Sequence, residues 1–260
     1  MLALVTGASS GIGKEIAYSL AERGFDLILV ARRLEVLIAI KHDIMGRHGV
    51  NVAVVKTDLA DPEACKELYK KVSRFKINVL VNNAGFGVFG NFDETDLDSE
   101  LELINVNIKA VHILTKLFLK DFKARNSGYI LNVASSAGFF SGPMFSSYYA
   151  SKNYVVRLTQ AIHEELKNSK SRVYIGALCP GPVKTDFGRR AGVVFSVSGM
   201  NSKYVAEYAL KKMLEGQVII IPGILMKVGK IAGKILPEAI TAKAVGNFQR
   251  RRHEKAMRIE

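Results

Sequence analysis

The sequence predicts a doubly wound α/β domain with a parallel, seven-stranded sheet flanked by helices, and three observations predict it. Short apolar runs alternate with longer stretches of helical spacing along most of the chain. The runs are near-continuous in Val, Ile, Leu and Ala, which suits strands buried on both faces. The resulting β-α-β repeat favours parallel strands with helices packed on either side. A chain of 260 residues, 48% hydrophobic and 23% charged, fits one ordinary globular domain with an appendage.

The elements follow in order. Apolar runs at 2–6, 26–31, 50–56, 79–83, 129–134, 173–179 and 218–222 read as strands. After the first strand, Ile12, Ile16 and Leu20 recur at i, i+4, i+8 beside Ala17 and Ala21, a helical stripe. Leu101, Ile104, Ile108, Val111 and Leu114 form a second stripe. There is no internal repeat and no linker before residue 222. Residues 1–222 are therefore expected to form the main domain, and 223–260 a basic, amphipathic C-terminal extension. In the extension Ile224, Leu225, Val228, Ile231, Ala232, Ile235 and Leu236 share a helical face, with Lys227, Lys230 and Lys234 between them. Pro237 breaks the segment, and a second basic stretch ends in Gln-Arg-Arg-Arg-His at 249–253. The extension holds nine Lys or Arg against three Glu, about half of the net charge of +13.

Composition excludes several classes. Two cysteines, Cys65 and Cys179, rule out a disulfide-dense scaffold and favour a cytoplasmic setting. No apolar run approaches the roughly 18 residues of a spanning helix, and residues 1–6 are too short for a signal peptide. The five histidines (42, 48, 112, 163, 253) are scattered, with no ligand-like spacing to Cys or carboxylates, so no metal site is expected. Neither cysteine resembles an activated nucleophile: Cys179 falls within a predicted strand and Cys65 on a predicted surface helix. The basic balance suits anionic ligands or surfaces.

The chemistry begins where the first strand runs into Thr6-Gly7-Ala8-Ser9-Ser10-Gly11-Ile12-Gly13 and then a helix. Glycines let the backbone turn tightly and approach a pyrophosphate, and the helix N-terminus offers N–H groups and a positive dipole end. The second strand ends Val30-Ala31-Arg32-Arg33, where such a fold meets the adenosine ribose. An acid there would bond a 2′-OH; Ala31 followed by two arginines, with no acid before Glu35, points to a 2′-phosphate and hence NADP(H) rather than NAD(H). Solvated arginines opening a helix are the plainer reading.

Further motifs appear in order. They are Asn82-Asn83-Ala84-Gly85 after the fourth strand and Ser135-Ser136 after the fifth. Tyr148-Tyr149-Ala150-Ser151-Lys152 then opens a helix, and Pro180-Gly181-Pro182-Val183-Lys184-Thr185 follows the sixth strand. Together they resemble the classical short-chain dehydrogenase/reductase family over residues 1 to about 222, with its Rossmann-like fold. The resemblance implies a catalytic tyrosine, Tyr148, with Lys152 one helical turn on, a spacing that puts both on one face. Tyr149 competes, but its i+4 partner Asn153 carries no charge. A phenol is a poor acid or base near neutrality, and a neighbouring ammonium lowers its pKa. It then serves as general acid or base toward a carbonyl or alcohol. The resemblance further implies Ser135, 13 residues before Tyr148, as the hydrogen-bond partner of the substrate carbonyl, with Ser136 as alternative. It implies Asn107 as holder of a water-linked proton relay, with Asn105 as alternative. Gly7, Ser9, Ser10, Gly11, Ile12, Gly13, Asn83, Ala84 and Gly85 are implied cofactor contacts, as are Tyr148 and Lys152. Asp58 and Leu59 would contact the adenine, unless Asp58 merely caps a turn. Pro180, Gly181, Val183 and Thr185 would hold the nicotinamide end, with hydride transferred from its 4-pro-S side.

The expected activity is NADP(H)-dependent interconversion of a carbonyl and a secondary alcohol, an oxidoreductase acting on CH–OH groups. The competing class is a non-catalytic NADP(H)-binding sensor or scaffold, although such relatives usually lose the tyrosine, lysine or serine. The segment 186–201 is expected to be a substrate lid. Phe187, Val193, Val194, Phe195 and Met200, with Phe139, Phe140, Pro143, Met144 and Phe145, suggest an apolar pocket for a ketone or 3-ketoacyl substrate. Within about Phe187–Met200 no lining charge is obvious apart from Arg189 and Arg190, which could equally face water. The family resemblance implies a homodimer or homotetramer built through the helices carrying Asn107 and Tyr148. Residues 224–236 are expected to pack over the cleft or against another subunit; the alternative is peripheral contact with an anionic membrane. Nucleic-acid binding lacks an aromatic-basic platform.

Overall fold

The computed structural model describes residues 1–191 and 199–256. Strand β1 (Leu2–Thr6), in the middle of the sheet, shows how these runs become strands. Ala3, Leu4 and Val5 are all fully buried, yet Ala3 and Val5 pack into one core and Leu4 into another. Successive side chains point to opposite faces, so an unbroken apolar run serves two cores at once. In β2 (Asp26–Ala31), Leu27 and Leu29 likewise face one side while Ile28 and Val30 face the other. The remaining strands are β3 (Val52–Lys56), β4 (Ile77–Asn82), β5 (Tyr129–Val133), β6 (Tyr174–Leu178) and β7 (Ile219–Ile220). All pair in parallel, in the order β3-β2-β1-β4-β5-β6-β7. The seven-stranded Rossmann-like sheet is therefore as expected. Several strands differ from the predicted runs by a residue or two at their ends; β4, for example, begins earlier, at Ile77, and stops at Asn82, because Asn83 turns its side chain to the Thr6 and Gly7 carbonyls.

The helices are α1 (Gly11–Ala21), α2 (Leu34–His48), α3 (Pro62–Val72), α4 (Leu97–Ile104), α5 (Val111–Ala124), α6 (Ser146–Asn168), the short α7 (Phe187–Arg190), α8 (Ser202–Leu214), α9 (Ile224–Ile235) and α10 (Glu238–Ala256). α1, α2 and α8 cover the face of Ala3 and Val5; α3, α5 and the end of α6 cover that of Leu4. Between α4 and α5, Asn105–Ala110 form a π-helical stretch. The second predicted stripe holds only in part: Val111 and Leu114 are buried as expected, but Leu101 is exposed, Ile104 and Ile108 are half-buried, and Leu103, Val106, Asn107 and Ala110 turn inward. A wider π-turn rotates residues out of the 3.6-residue phase on which that stripe was read.

The chain leaves β1 toward β2 and β4 toward β5, in opposite directions from neighbouring strands. A crevice opens at their carboxyl ends, as at any such switch point. The extension packs back beside it: Met226 of α9 lies against Gly181, Gly233 against Phe140, and Gly246 of α10 against Pro143.

Candidate active site

The crevice is a cleft of about 600 Å³ running from Arg32, Arg33 and Asp58 at one end to Ser135, Tyr148 and Lys152 at the other. Its floor is the loop between β1 and α1. Gly7 and Gly11 adopt positive φ there, a conformation that glycine takes without strain. Ser10 precedes α1 with no side-chain cap, so the helix N-terminus faces the cleft without one. Gly7, Ser9, Ser10, Gly11 and Ile12 line the cleft, but Gly13 does not. A Cβ at Gly13 would sit 2.2 Å from Asn83 Nδ2 and 2.6 Å from the Gly7 carbonyl oxygen, so its role is close packing beneath the loop. Asn83 Nδ2 donates to the carbonyls of Thr6 (3.0 Å) and Gly7 (3.2 Å). Thr6 Oγ1 accepts from the Asn83 and Ala84 amides, so the end of β4 is stitched to the glycine loop.

At the adenosine end Arg33 Nη2 donates to Ser9 Oγ at 3.0 Å, and Arg32 pairs with Glu102 of α4 at 2.7 Å. Asp58 Oδ1 accepts from the Ala60 amide, so it caps a turn while also lining the cleft beside Leu59. Glu35 lies in the first turn of α2 and is not among the lining residues. Thr185 lies against Gly11, and Pro180, Gly181 and Val183 complete that wall. Lys184 N bonds the Met200 carbonyl and Met200 N the Pro182 carbonyl, joining the two ends of the segment expected to form a lid. Val193, Val194 and Phe195, and the side chains of Arg189 and Arg190, lie outside the described residues.

At the other end the Ser135 hydroxyl lies near the Tyr148 phenol. Burial raises the Tyr148 pKa, the nearby Ser135 hydroxyl opposing it, so the phenol is protonated near neutrality. Phe145 stacks on the Tyr148 ring, centroids 4.5 Å apart, and Phe187 of α7 packs at 5.2 Å. Lys152 Nζ lies 5.8 Å from that ring centroid and donates to the Val133 carbonyl at 3.0 Å. Burial lowers its pKa to about 8. Asn107 is fully buried in the π-helical stretch; its Oδ1 accepts from Phe86 N and its Nδ2 donates to Phe86 O and Ser151 Oγ. Its carbonyl oxygen and Lys152 Nζ close on Gly85 from two sides: a Cβ there would lie 2.9 Å from one and 3.2 Å from the other. Asn107 thus positions the Gly85-Phe86 wall beside the lysine. Ser136 also lines the cleft, but the hydroxyl that acts on Tyr148 is that of Ser135.

Behind the site a buried polar chain locks three elements together. Asn82 Nδ2 donates to Asn132 Oδ1 at 2.9 Å, and Asn132 Nδ2 to Thr159 Oγ1 of α6 at 2.9 Å. Paired buried amides of this kind fix register, since leaving one unpaired is costly.

The substrate side differs from the expected pocket. Phe145 and Phe187 line it, whereas Phe139 packs under Lys230, Phe140 against Gly233 and Pro143 against Gly246, all in the extension. Phe86, Val106, Glu102 and Gln249 also line the cleft and escaped the sequence reading. Gln249 is buried in α10 and donates to Tyr149 Oη at 3.0 Å, across 100 residues of sequence. Burial pushes the Cys65 thiol up to about 11 and Cys179 up to about 12, so both are inert apolar fillers. Cys65 is buried on the inner side of its surface helix. Among the described residues no cluster of His, Cys, Asp and Glu is arranged to hold a metal.

The glycine loop, the stitched β4 end and the two arginines fit a dinucleotide. The chain belongs to the short chain dehydrogenase family, whose model matches residues 1–192. It is 35% identical to human 17-beta-hydroxysteroid dehydrogenase type 3 over 70% of this chain and 59% of that protein. It is also 35% identical to the very-long-chain 3-oxoacyl-CoA reductase of Anas platyrhynchos, over 64% of this chain and 55% of that protein. The match thus spans less than two thirds of either relative's length. Among solved structures, a short-chain dehydrogenase from Sphingobium yanoikuyae in complex with NADPH superposes with a TM-score of 0.82. It is 28% identical and covers 92% of this chain and 96% of that one. A relative from Burkholderia phymatum in complex with NAD is 24% identical and shares the fold, with a TM-score of 0.81 over 88% of this chain and 91% of that one.

Proposed function

We propose that the chain is an NADP(H)-dependent oxidoreductase that reduces an apolar ketone or 3-ketoacyl group to a secondary alcohol, reversibly. The observation that carries this reading is the convergence of Ser135, Tyr148 and Lys152 at one end of the glycine-floored cleft. A bound reduced nicotinamide supplies the hydride. The substrate carbonyl oxygen takes the position between Ser135 and Tyr148. Ser135 donates a hydrogen bond to it, and Tyr148 gives up its phenolic proton as negative charge develops on that oxygen. The Lys152 ammonium stabilises the phenolate left behind. In the reverse direction the same phenolate removes the alcohol proton. A protonated phenol suits reduction, which fits the burial that keeps Tyr148 neutral.

The NADP(H) preference rests on Ala31, which offers no carboxylate to a ribose 2′-OH, and on Arg32 and Arg33, whose planar forks suit a phosphate. The apolar substrate class rests on Phe86, Phe145 and Phe187 clustered with Tyr148 at the far end, and both curated relatives are named for lipophilic substrates. The whole chain is proposed to act as a homodimer or homotetramer through α4, α5 and α6, where Leu101 is exposed. It would work in the cytoplasm, with its extension available for a peripheral membrane contact. A non-catalytic scaffold would have no use for a serine beside a buried tyrosine and a buried lysine in the same cleft.

The test is NADPH oxidation with ketones of graded size, from short ketoesters through long 3-ketoacyl chains to steroids, alongside Tyr148→Phe. Turnover that favours the larger ketones and falls about 10²–10⁴-fold in the variant is expected. Binding of NADPH without reduction of any ketone would overturn the proposal.

A further inference from the structure

Helix α9 is turned the wrong way for a helix that only covers the body. At about 100° per residue, Ile224, Val228, Ile231 and Ile235 fall within one narrow stripe. That stripe faces outward: the four side chains are 79%, 56%, 59% and 77% exposed. The opposite face is the one that packs, through Met226 against Gly181 and Gly233 against Phe140. Small and flexible residues therefore meet the protein while β-branched ones face solvent, the reverse of ordinary amphipathic burial. Ile240 of α10, also exposed, continues the apolar surface beyond Pro237.

We infer that this stripe is the docking face for an anionic lipid bilayer, lying in the interface plane with Lys227 at the headgroups. Charge decides between the occupants. Lys227 is exposed at the margin of the stripe, and Lys243, Arg250 and Arg251 are exposed on α10. Residues 223–260 hold nine Lys or Arg against three Glu. A second copy of the chain would bring like charges together around the apolar centre, whereas anionic headgroups neutralise them while acyl chains receive the isoleucines. The inner face of α9 is already taken, so the helix cannot bury the stripe on its own chain without releasing Met226 and Gly233. Among the described residues no helix is long and apolar enough to cross a membrane, so the contact is in the plane. The extension that carries the stripe also delivers Gln249 to the cleft, so a docked enzyme holds its substrate end beside the bilayer.

The experiment is sedimentation of the full chain with phosphatidylglycerol-rich vesicles or with pure phosphatidylcholine vesicles, at low and high salt. It is repeated with the exposed double variant Ile231→Glu, Ile235→Glu. The native chain is expected to sediment with the anionic vesicles only, and less at high salt. The double variant should lose at least about tenfold in binding while reducing a soluble ketone at the native rate. Equal sedimentation of the two proteins, or none with anionic vesicles, would overturn the inference. So would a double variant whose only change is a smaller oligomer by sedimentation velocity, which would assign the stripe to a second copy. Ketone turnover is read separately, so failure here leaves the proposed reaction standing, and the reverse.

Discussion

The two ends of the cleft are built by different physics. At the glycine-loop end the contacts are directional and dense: Asn83 bonds two carbonyls of the β1 end, Thr6 Oγ1 accepts two amides, and Arg33 is tied to Ser9. At the substrate end aromatic rings meet edge to face or stacked, and part of the wall comes from a helix 100 residues further along the chain. The first end recognises an invariant cofactor with fixed backbone geometry. The second encloses apolar surface, which any suitably shaped set of side chains does. The comparison teaches that the glycine-loop end is set by local backbone geometry, whereas the far end is set by which side chains tertiary packing brings together.

The largest expected break in this contrast is at Gly13. A methyl there meets Asn83 Nδ2 and the Gly7 carbonyl, so Gly13→Ala should destabilise the chain by about 1–3 kcal/mol and weaken NADPH binding. Thermal unfolding with and without NADPH reads both. A change of the same volume on the substrate side should be absorbed. Next in size is Arg33→Ala. Losing a charge-assisted contact to a 2′-phosphate should raise the KM for NADPH about 10–100-fold and leave that for NADH nearly unchanged. Comparable losses with both cofactors would assign the arginine to holding Ser9 instead.

The site was legible where chemistry demands local spacing. Tyr148 and Lys152 share a helix face, and Ser135 follows a strand that ends beside them. The glycine run and the arginines could be read for the same reason: strand, turn and helix N-terminus are contiguous in sequence. Gly13 was read as a cofactor contact, yet it packs beneath the loop; glycine spacing alone does not separate the two roles. Asn107 was readable as out of place in a helix, but the π-helical stretch that turns it inward was not, since no local residue pattern encodes a wider turn. Glu102 and Gln249 were invisible: each reaches the cleft only through tertiary packing, and Gln or Glu on a helix is ordinarily solvated. The predicted apolar pocket took in Phe139 and Phe140, which the extension covers instead.

Lysine titration sharpens the contrast further. Burial holds Lys152 at about 8 against an ordinary 10.5, so its ammonium is lost as the pH rises through about 8. kcat/KM for ketone reduction should then fall about tenfold per unit above that pH, and Lys152→Met should lack this limb. The stability effect has the opposite sign. Between about pH 8 and 10.5 the unfolded chain binds the extra proton, so the cost of burying the charge is full below about 8 and fades as the pH rises. The smallest effect expected is that of Gln249→Ala, which should change the KM for bulky ketones a few-fold and leave kcat and the KM for NADPH alone. An equal change for small and bulky ketones would place Gln249 in support of Tyr149 rather than against the substrate.

The most direct test of the whole account is transfer of label from NADPH carrying deuterium at the 4-pro-S or the 4-pro-R position to a ketone turned over by the native chain, with Tyr148→Phe in parallel. Deuterium appearing in the alcohol only from the 4-pro-S form is the predicted result, together with a variant that binds NADPH normally and transfers little. Label arriving from the 4-pro-R form, or a variant that transfers at the native rate, would contradict both the roles assigned to the loop at Pro180–Thr185 and the acid assigned to Tyr148.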